Sequence, residues 1–218
     1  MKNKMLTTVV AAALVFAVLP AVASATPSLD LPPGGGHFTA LGGAIILRNG
    51  IVTLDCASTT GTGDFTGPPE GTVQFLFHGC FASVLGTPFG SSGQPAGTVT
   101  TEVLPFHLMT AKGSGDPAVL ITTAANGRFT TFSYLGVLVS ITGNGIVGAI
   151  TAPAYNTPSE TFTFDFNATG ASQEITETEE SATKYTLEYS ANGGAAVPGS
   201  EEFESVSTFT GGEAELIE

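Results

Sequence analysis

The chain has no tryptophan, two cysteines, three histidines and six basic residues among 218. Each scarcity excludes something. Six Lys and Arg stand against 19 Asp and Glu, a net charge of −13. A nucleic-acid binder needs a basic face that releases phosphate counterions, so that class is excluded. Docking on anionic lipid is disfavoured for the same reason. No apolar stripe at helical spacing exceeds about two turns, which argues against a helical core. After the first 22 residues no apolar run is long enough to span a bilayer.

What is present begins with Met1-Lys2-Asn3-Lys4, a short basic head, followed by an apolar stretch from Met5 to Val22. Ala23-Ser24-Ala25 has the small-x-small form of a cleavage site. Residues 1–25 are therefore expected to be a secretory signal. Cleavage leaves four basic residues (Arg48, Lys112, Arg128, Lys184) against all 19 acids, a net charge of −15. The expected destination is outside the cell or in its envelope, with no membrane attachment after cleavage. In such an oxidising compartment Cys56 and Cys80 are expected to pair, closing a loop worth roughly 3 kcal/mol. The alternative is a reactive thiol or a metal thiolate, for which His78, two residues before Cys80, is the sole neighbouring support.

Residues 26–36 hold Pro32-Pro33 and Gly34-Gly35-Gly36 with no apolar periodicity, and read as a flexible leader. From residue 37 to 218 apolar residues recur with period two in short runs bounded by Gly, Pro, Asn and Ser. Ala44–Arg48 and Ile51–Cys56 flank Asn49-Gly50, the turn pair of a type I′ hairpin. Phe75 and Phe77 alternate with Gln74 and His78, Phe162 to Phe166 with Thr163 and Asp165, and Tyr185 to Tyr189 with Thr186 and Glu188. About ten to twelve short strands at this turn frequency predict one all-β domain, an antiparallel β-sandwich or β-barrel. Cys56 shares parity with Leu54. Cys80 does not share parity with Phe75 and Phe77, and Gly79 supplies the bulge that would turn it inward.

From about residue 160 the chain is acidic, with 13 acids and one base. The runs Glu174–Glu180 and Glu201, Glu202, Glu204 read as a solvated surface, and Glu174–Ala182 as a mobile loop.

Several motifs are weighed and set aside. Gly143-Asn144-Gly145-Ile146-Val147-Gly148 fits a dinucleotide fingerprint, but Thr151-Ala152-Pro153 follows where a helix is required, and a hairpin turn fits better. Ser181-Ala182-Thr183-Lys184 fits S-x-x-K, but on a strand its two ends lie about 10 Å apart. Asp64 and Glu70 are placed in a loop, Gly61–Gly71, and Asp116 in a Gly/Pro turn. Such oxygen-rich loops are weak calcium candidates, better explained by turn chemistry. Asn167-Ala168-Thr169 is a formal glycosylation sequon. His37, His78 and His107 show no metal-pair spacing. His78 and His107 fall on the polar side of their strands and are the weak candidates for a site.

Thr53-Leu54-Asp55-Cys56, Phe77-His78-Gly79-Cys80 and Gly93-Gln94-Pro95-Ala96-Gly97-Thr98-Val99-Thr100-Thr101, together with Gly145–Pro153, resemble a loosely defined group of secreted β-rich actinobacterial proteins of unknown function. The resemblance spans about Phe38 to Phe166. Members often carry a second cysteine pair, where this chain has Thr87 and Tyr134. The group implies no activity to carry over.

The expectation is an exported, non-catalytic β-domain, a structural or binding module with no cofactor, whose partner is a protein or a small apolar ligand. The alternatives are a small barrel binding an apolar ligand in its lumen, and an exported hydrolase using His78 or His107.

Overall fold

The computed structural model describes residues 26–32, 35–49 and 53–217. The expected signal, 1–25, lies outside the described residues. Among the described residues there are twenty strands and no helix. They begin with β1 (Ser28–Asp30), β2 (Gly36–Gly42), β3 (Ile45–Arg48), β4 (Thr53–Cys56), β5 (Ser58–Gly67) and β6 (Glu70–His78). Next are β7 (Phe81–Ala82), β8 (Thr87–Pro88), β9 (Thr98–Thr100), β10 (Leu104–Thr110), β11 (Pro117–Ile121), β12 (Arg128–Tyr134) and β13 (Val137–Gly143). The chain ends with β14 (Ile146–Ala152), β15 (Thr161–Phe166), β16 (Ala168–Thr169), β17 (Ser172–Gln173), β18 (Leu187–Ala191), β19 (Val197–Phe209) and β20 (Glu215–Ile217).

Eight of these close on themselves in the order β15-β14-β11-β10-β6-β5-β2-β19, and β19 returns to β15. All neighbours are antiparallel. The fold is thus the barrel form of the expected all-β class. Closure removes the exposed edges that an open sheet would leave. Period-two alternation sets what faces inward: Phe38 and Ala40 of β2 are buried, while Thr39 and Leu41 are exposed.

β19 is thirteen residues long and serves two sheets. Its second half, from Phe203, pairs with β15 and β2. Its first half pairs with β18 through Val197–Gly199 and with β3 through Ser200–Glu202. A second sheet, β12-β13-β18-β19-β3-β4-β7-β8, therefore grows from the barrel wall. β6 divides the same way, with β10 along its first half and β9 along its last three residues. The bridge Thr101–Thr130 brings β12 back against this end.

The barrel fills by setting rings against glycines. A Cβ on Gly63 would lie 2.2 Å from the Phe38 ring, one on Gly71 2.3 Å from Phe106, and one on Gly148 2.6 Å from Phe166. The rings then meet each other, with Phe65 and Phe106 centroids 4.8 Å apart and Phe166 and Phe203 4.6 Å apart. This exchange explains why β5 reads as a loop in the sequence. Its inward residues are Thr59, Gly61, Gly63 and Phe65, and only the last is a large apolar side chain, because Phe75 and Phe38 occupy the space beside the two glycines. The expected loop Gly61–Gly71 is a strand, a tight turn and the start of β6.

Four further expectations change. The expected loose leader, 26–36, contains a strand: β1 pairs with β20, Leu29 and Leu216 are buried, and the Leu29 amide donates to Pro68 O at the β5–β6 turn. The β3–β4 hairpin exists, but Arg48 pairs with Thr53 and not with Ile51. That register is two residues from the one a two-residue Asn-Gly turn requires; residues 50–52 lie outside the described residues. A shift of two preserves which side chains face inward. Gly143-Asn144-Gly145 joins two different sheets, since β13 pairs with β12 and β18, and β14 with β11 and β15. Asn144 holds this crossover by donating to Lys184 O and accepting from the Thr186 amide.

The fourth is the acidic segment 174–182, which is latched to the β10–β11 turn. Glu180 accepts from the Thr110 amide at 2.8 Å and Glu179 from the Gly113 amide at 2.8 Å. Glu177 pairs with Lys112 at 2.6 Å. Its carboxyl is held below the usual carboxylate range, first by that hydrogen bond and then by the lysine charge. Repulsion among the carboxylates is outweighed because Glu177, Glu179 and Glu180 each meet a donor on or beside the turn.

Candidate functional site

The histidines stand on the outer wall of the barrel, each against its neighbouring strand. His37 Nδ1 lies 2.9 Å from Asp64 Oδ1, directly across β2 and β5. His78 Nε2 lies 2.9 Å from Thr60 Oγ1. His107 Nδ1 lies 3.7 Å from Glu70 Oε1, its cross-strand partner. The hydroxyl thus belongs to one candidate ring and the carboxylate to the other. Asp64, a weak calcium candidate, is engaged by His37, and Glu70 by His107. Among the described residues no three His, Cys, Asp or Glu side chains converge as a metal would need.

Cys56 and Cys80 are bonded to each other and both are buried. Gly79 adopts φ +65°, the left-handed conformation open to glycine, and this turns Cys80 out of the β6 alternation into the interior.

The lumen is lined chiefly by rings, including Phe38, Phe75, Phe106 and Phe209, with Ser205 and Ser207 as its hydroxyl side. The free space among them is about 30 Å³. A pocket for a small organic ligand takes about 300–1,000 Å³. The lumen as it stands has room for a water molecule or two.

A second interior space lies where the second sheet leaves the barrel, with a free volume of about 10 Å³. Its walls include Phe77, Thr101, Phe129, Thr130 and Ile141, and Glu201. Glu201 is 7% exposed. Its amide donates to Gln173 Oε1 at 2.8 Å, which ties β19 to the β16–β17 hairpin. Loss of hydration in these apolar surroundings raises its carboxyl to about 8. Near neutral pH Glu201 is therefore a neutral acid inside the protein. Tyr189 of β18 is raised well above the usual phenol value, first by burial and then by the Glu201 charge. Its hydroxyl donates to Ser200 O at 3.1 Å, and Gly199 makes room for its ring.

Glu201 is the residue that reading the acidic run as solvated surface overlooks. A signal was available. Glu201 shares parity with Phe203, Ser205, Ser207 and Phe209, whereas Glu202 and Glu204 take the outward parity.

No family model, curated protein or solved structure matches the chain. Any functional reading therefore rests on its own residues.

Proposed function

We propose that the chain is an exported, non-catalytic β-barrel module that works through its outer surface, as a structural or binding element at or outside the cell surface. The observation that carries this reading is the filled lumen. Glycine-for-ring exchange at Gly63, Gly71 and Gly148 leaves about 30 Å³ inside the barrel, so the surface available to a partner is the outer one. The buried Cys56–Cys80 bridge supports an oxidising destination. The lumen-binding alternative draws support from the aromatic lining alone.

Titration of the purified mature chain with a fluorescent C16 fatty acid tests the reading. No saturable binding is expected. One-to-one saturation at micromolar concentration, competed by unlabelled fatty acid and lost on Gly148→Leu, assigns the lumen to an apolar ligand and defeats the proposal.

A further inference from the structure

Leu120 stands in the barrel wall with its side chain outward, yet it is buried. Along β11, Val119 and Ile121 line the lumen, so Ala118 and Leu120 point the other way. In β14, Ile146 faces the second interior space, which leaves Val147 outward. Ala118, Leu120 and Val147 are nonetheless 0%, 4% and 1% exposed. The unbroken apolar run Ala118-Val119-Leu120-Ile121 is the pattern of a strand buried on both faces. With Ala111 and Tyr185 the outward residues form a hydrophobic cluster separate from the main core, and Met109 and Ile175 pack on it. Segment 174–186 supplies Ile175 and Tyr185 and contains no strand. It is the cover over this stretch of outer wall.

The cover has a base and a tip. The base is closed by the Tyr185 amide, which donates to Thr176 O. Its ends are held by the Glu174 amide on Asn167 O and by Asn144, which bonds Lys184 and Thr186. The tip, 177–181, lies on the β10–β11 turn. There Thr178 bridges to Ala111, the Glu179 amide donates to Thr110 O, and the Lys112 amide donates to Glu177 O. All three carboxylate contacts, Glu177 with Lys112, Glu179 with Gly113 and Glu180 with Thr110, belong to the tip.

The seat of the tip is incompletely satisfied. Thr110 Oγ1 and Thr178 Oγ1 are buried there with no hydrogen-bond partner among the described residues. Orphaned hydroxyls cost free energy in the closed state, so closure depends on the carboxylates. Protonation removes their charge and weakens all three contacts. Glu177 fixes the sign. Its carboxyl is held below the usual range by the Lys112 hydrogen bond and then by the lysine charge. Its share of closure is therefore present at neutral pH and is lost as pH falls through its own value. Around these carboxylates the turn carries Lys112 and Asp116, and the base carries Glu174, Lys184 and Tyr185. On β10, His107 is turned to Glu70, and the residues of β11 and β14 in the cluster are apolar.

We propose that segment 174–186 is an acid-released strap, whose tip lifts from the β10–β11 turn when Glu177, Glu179 and Glu180 are protonated and uncovers the apolar outer wall at Ala111, Ala118 and Leu120. This adds a change of surface to the outer-surface reading, and it holds whichever way the lumen test falls.

Hydrogen exchange of the disulfide-bonded mature chain at pH 7 and about pH 3.5, corrected for the intrinsic pH dependence of exchange, tests it. At the lower pH the amides of Thr110, Lys112, Gly113 and Glu179 should lose protection at least tenfold while those of β5 and β6 keep theirs. The apolar dye anilinonaphthalene sulfonate should bind under the same condition. Glu177→Gln, Glu179→Gln and Glu180→Gln together keep the acceptors but remove the charges, and should show the open tip at pH 7. Ala111→Cys with Thr178→Cys, across the bridge that joins them, should hold the tip shut and abolish dye binding in acid. Protection at the four amides that is indifferent to pH, or lost only together with β5 and β6, overturns the proposal. A triple variant as protected as wild type at pH 7, or dye binding undiminished in the cross-linked variant, overturns it equally.

Discussion

The two interior spaces share β6 and β19, with Phe75 between them, yet they are built on opposite terms. In the barrel, large side chains face glycines, and the residues described around the free space are apolar except for Ser205 and Ser207. Beneath the second sheet the same strand β19 turns a carboxyl inward, and the surroundings answer by holding its proton. The contrast shows that one alternation rule positions both linings, while the identity of the inward residue decides whether a space is inert or pH-responsive. Ser205 and Ser207 occupy the inward row in the barrel; Glu201 occupies it in the other space.

The largest effect should come from removing that carboxyl. Between pH about 4.5 and 8 the unfolded chain releases the Glu201 proton and the folded chain keeps it. Unfolded molecules then bind fewer protons, so stability falls as pH rises through that window, and the loss is complete above about 8. The difference amounts to about 5 kcal/mol across the window. Glu201→Gln should abolish this component, so urea unfolding of wild type minus variant must slope downward from pH 5 to 8. A flat difference would show that the two spaces are electrostatically alike.

Next is the bridge. Cys56→Ser with Cys80→Ser should lower stability by about 3 kcal/mol in chemical denaturation, since the loop it closes is freed in the unfolded chain. Its effect should fall on the second sheet, with amides of β4 and β7 exchanging faster than those of β11 and β14. Smaller is the lumen test. Gly63→Ala places a methyl against the Phe38 ring and should lose about 2 kcal/mol with no change in pH dependence. Val206→Ala, on the same barrel's outer wall, should be close to neutral by the same measurement. The smallest effect belongs to the latch. Glu180→Gln should weaken the bond from the Thr110 amide by about 1 kcal/mol, read as faster hydrogen exchange there.

Much of the fold is legible where inward residues are themselves apolar. The alternation through Phe75 and Phe77 lies in β6, and the Phe162–Phe166 alternation is β15. β5 is illegible because Gly61 and Gly63 take two of its inward positions, and a glycine in a strand looks like a turn until the ring that needs its space is known. Glu201 is half legible: its parity assigns it inward, but a run of acids invites a solvated reading. The latch is illegible because its donors lie some 65 residues earlier, on a hairpin that no local pattern connects to it.

Period-two alternation is a property of the extended backbone, so the chain alone determines an all-β domain, the inward and outward sets of its longer strands, and the chemistry that lets Cys56 meet Cys80. Closure into a barrel, the branching of β19, the folding-back of residues 28–30 and the protonated acid under the second sheet are settled only by which strands become neighbours. Pairing partners, ring-for-glycine fit and loss of hydration depend on residues far apart in the chain, and those distances close only in three dimensions.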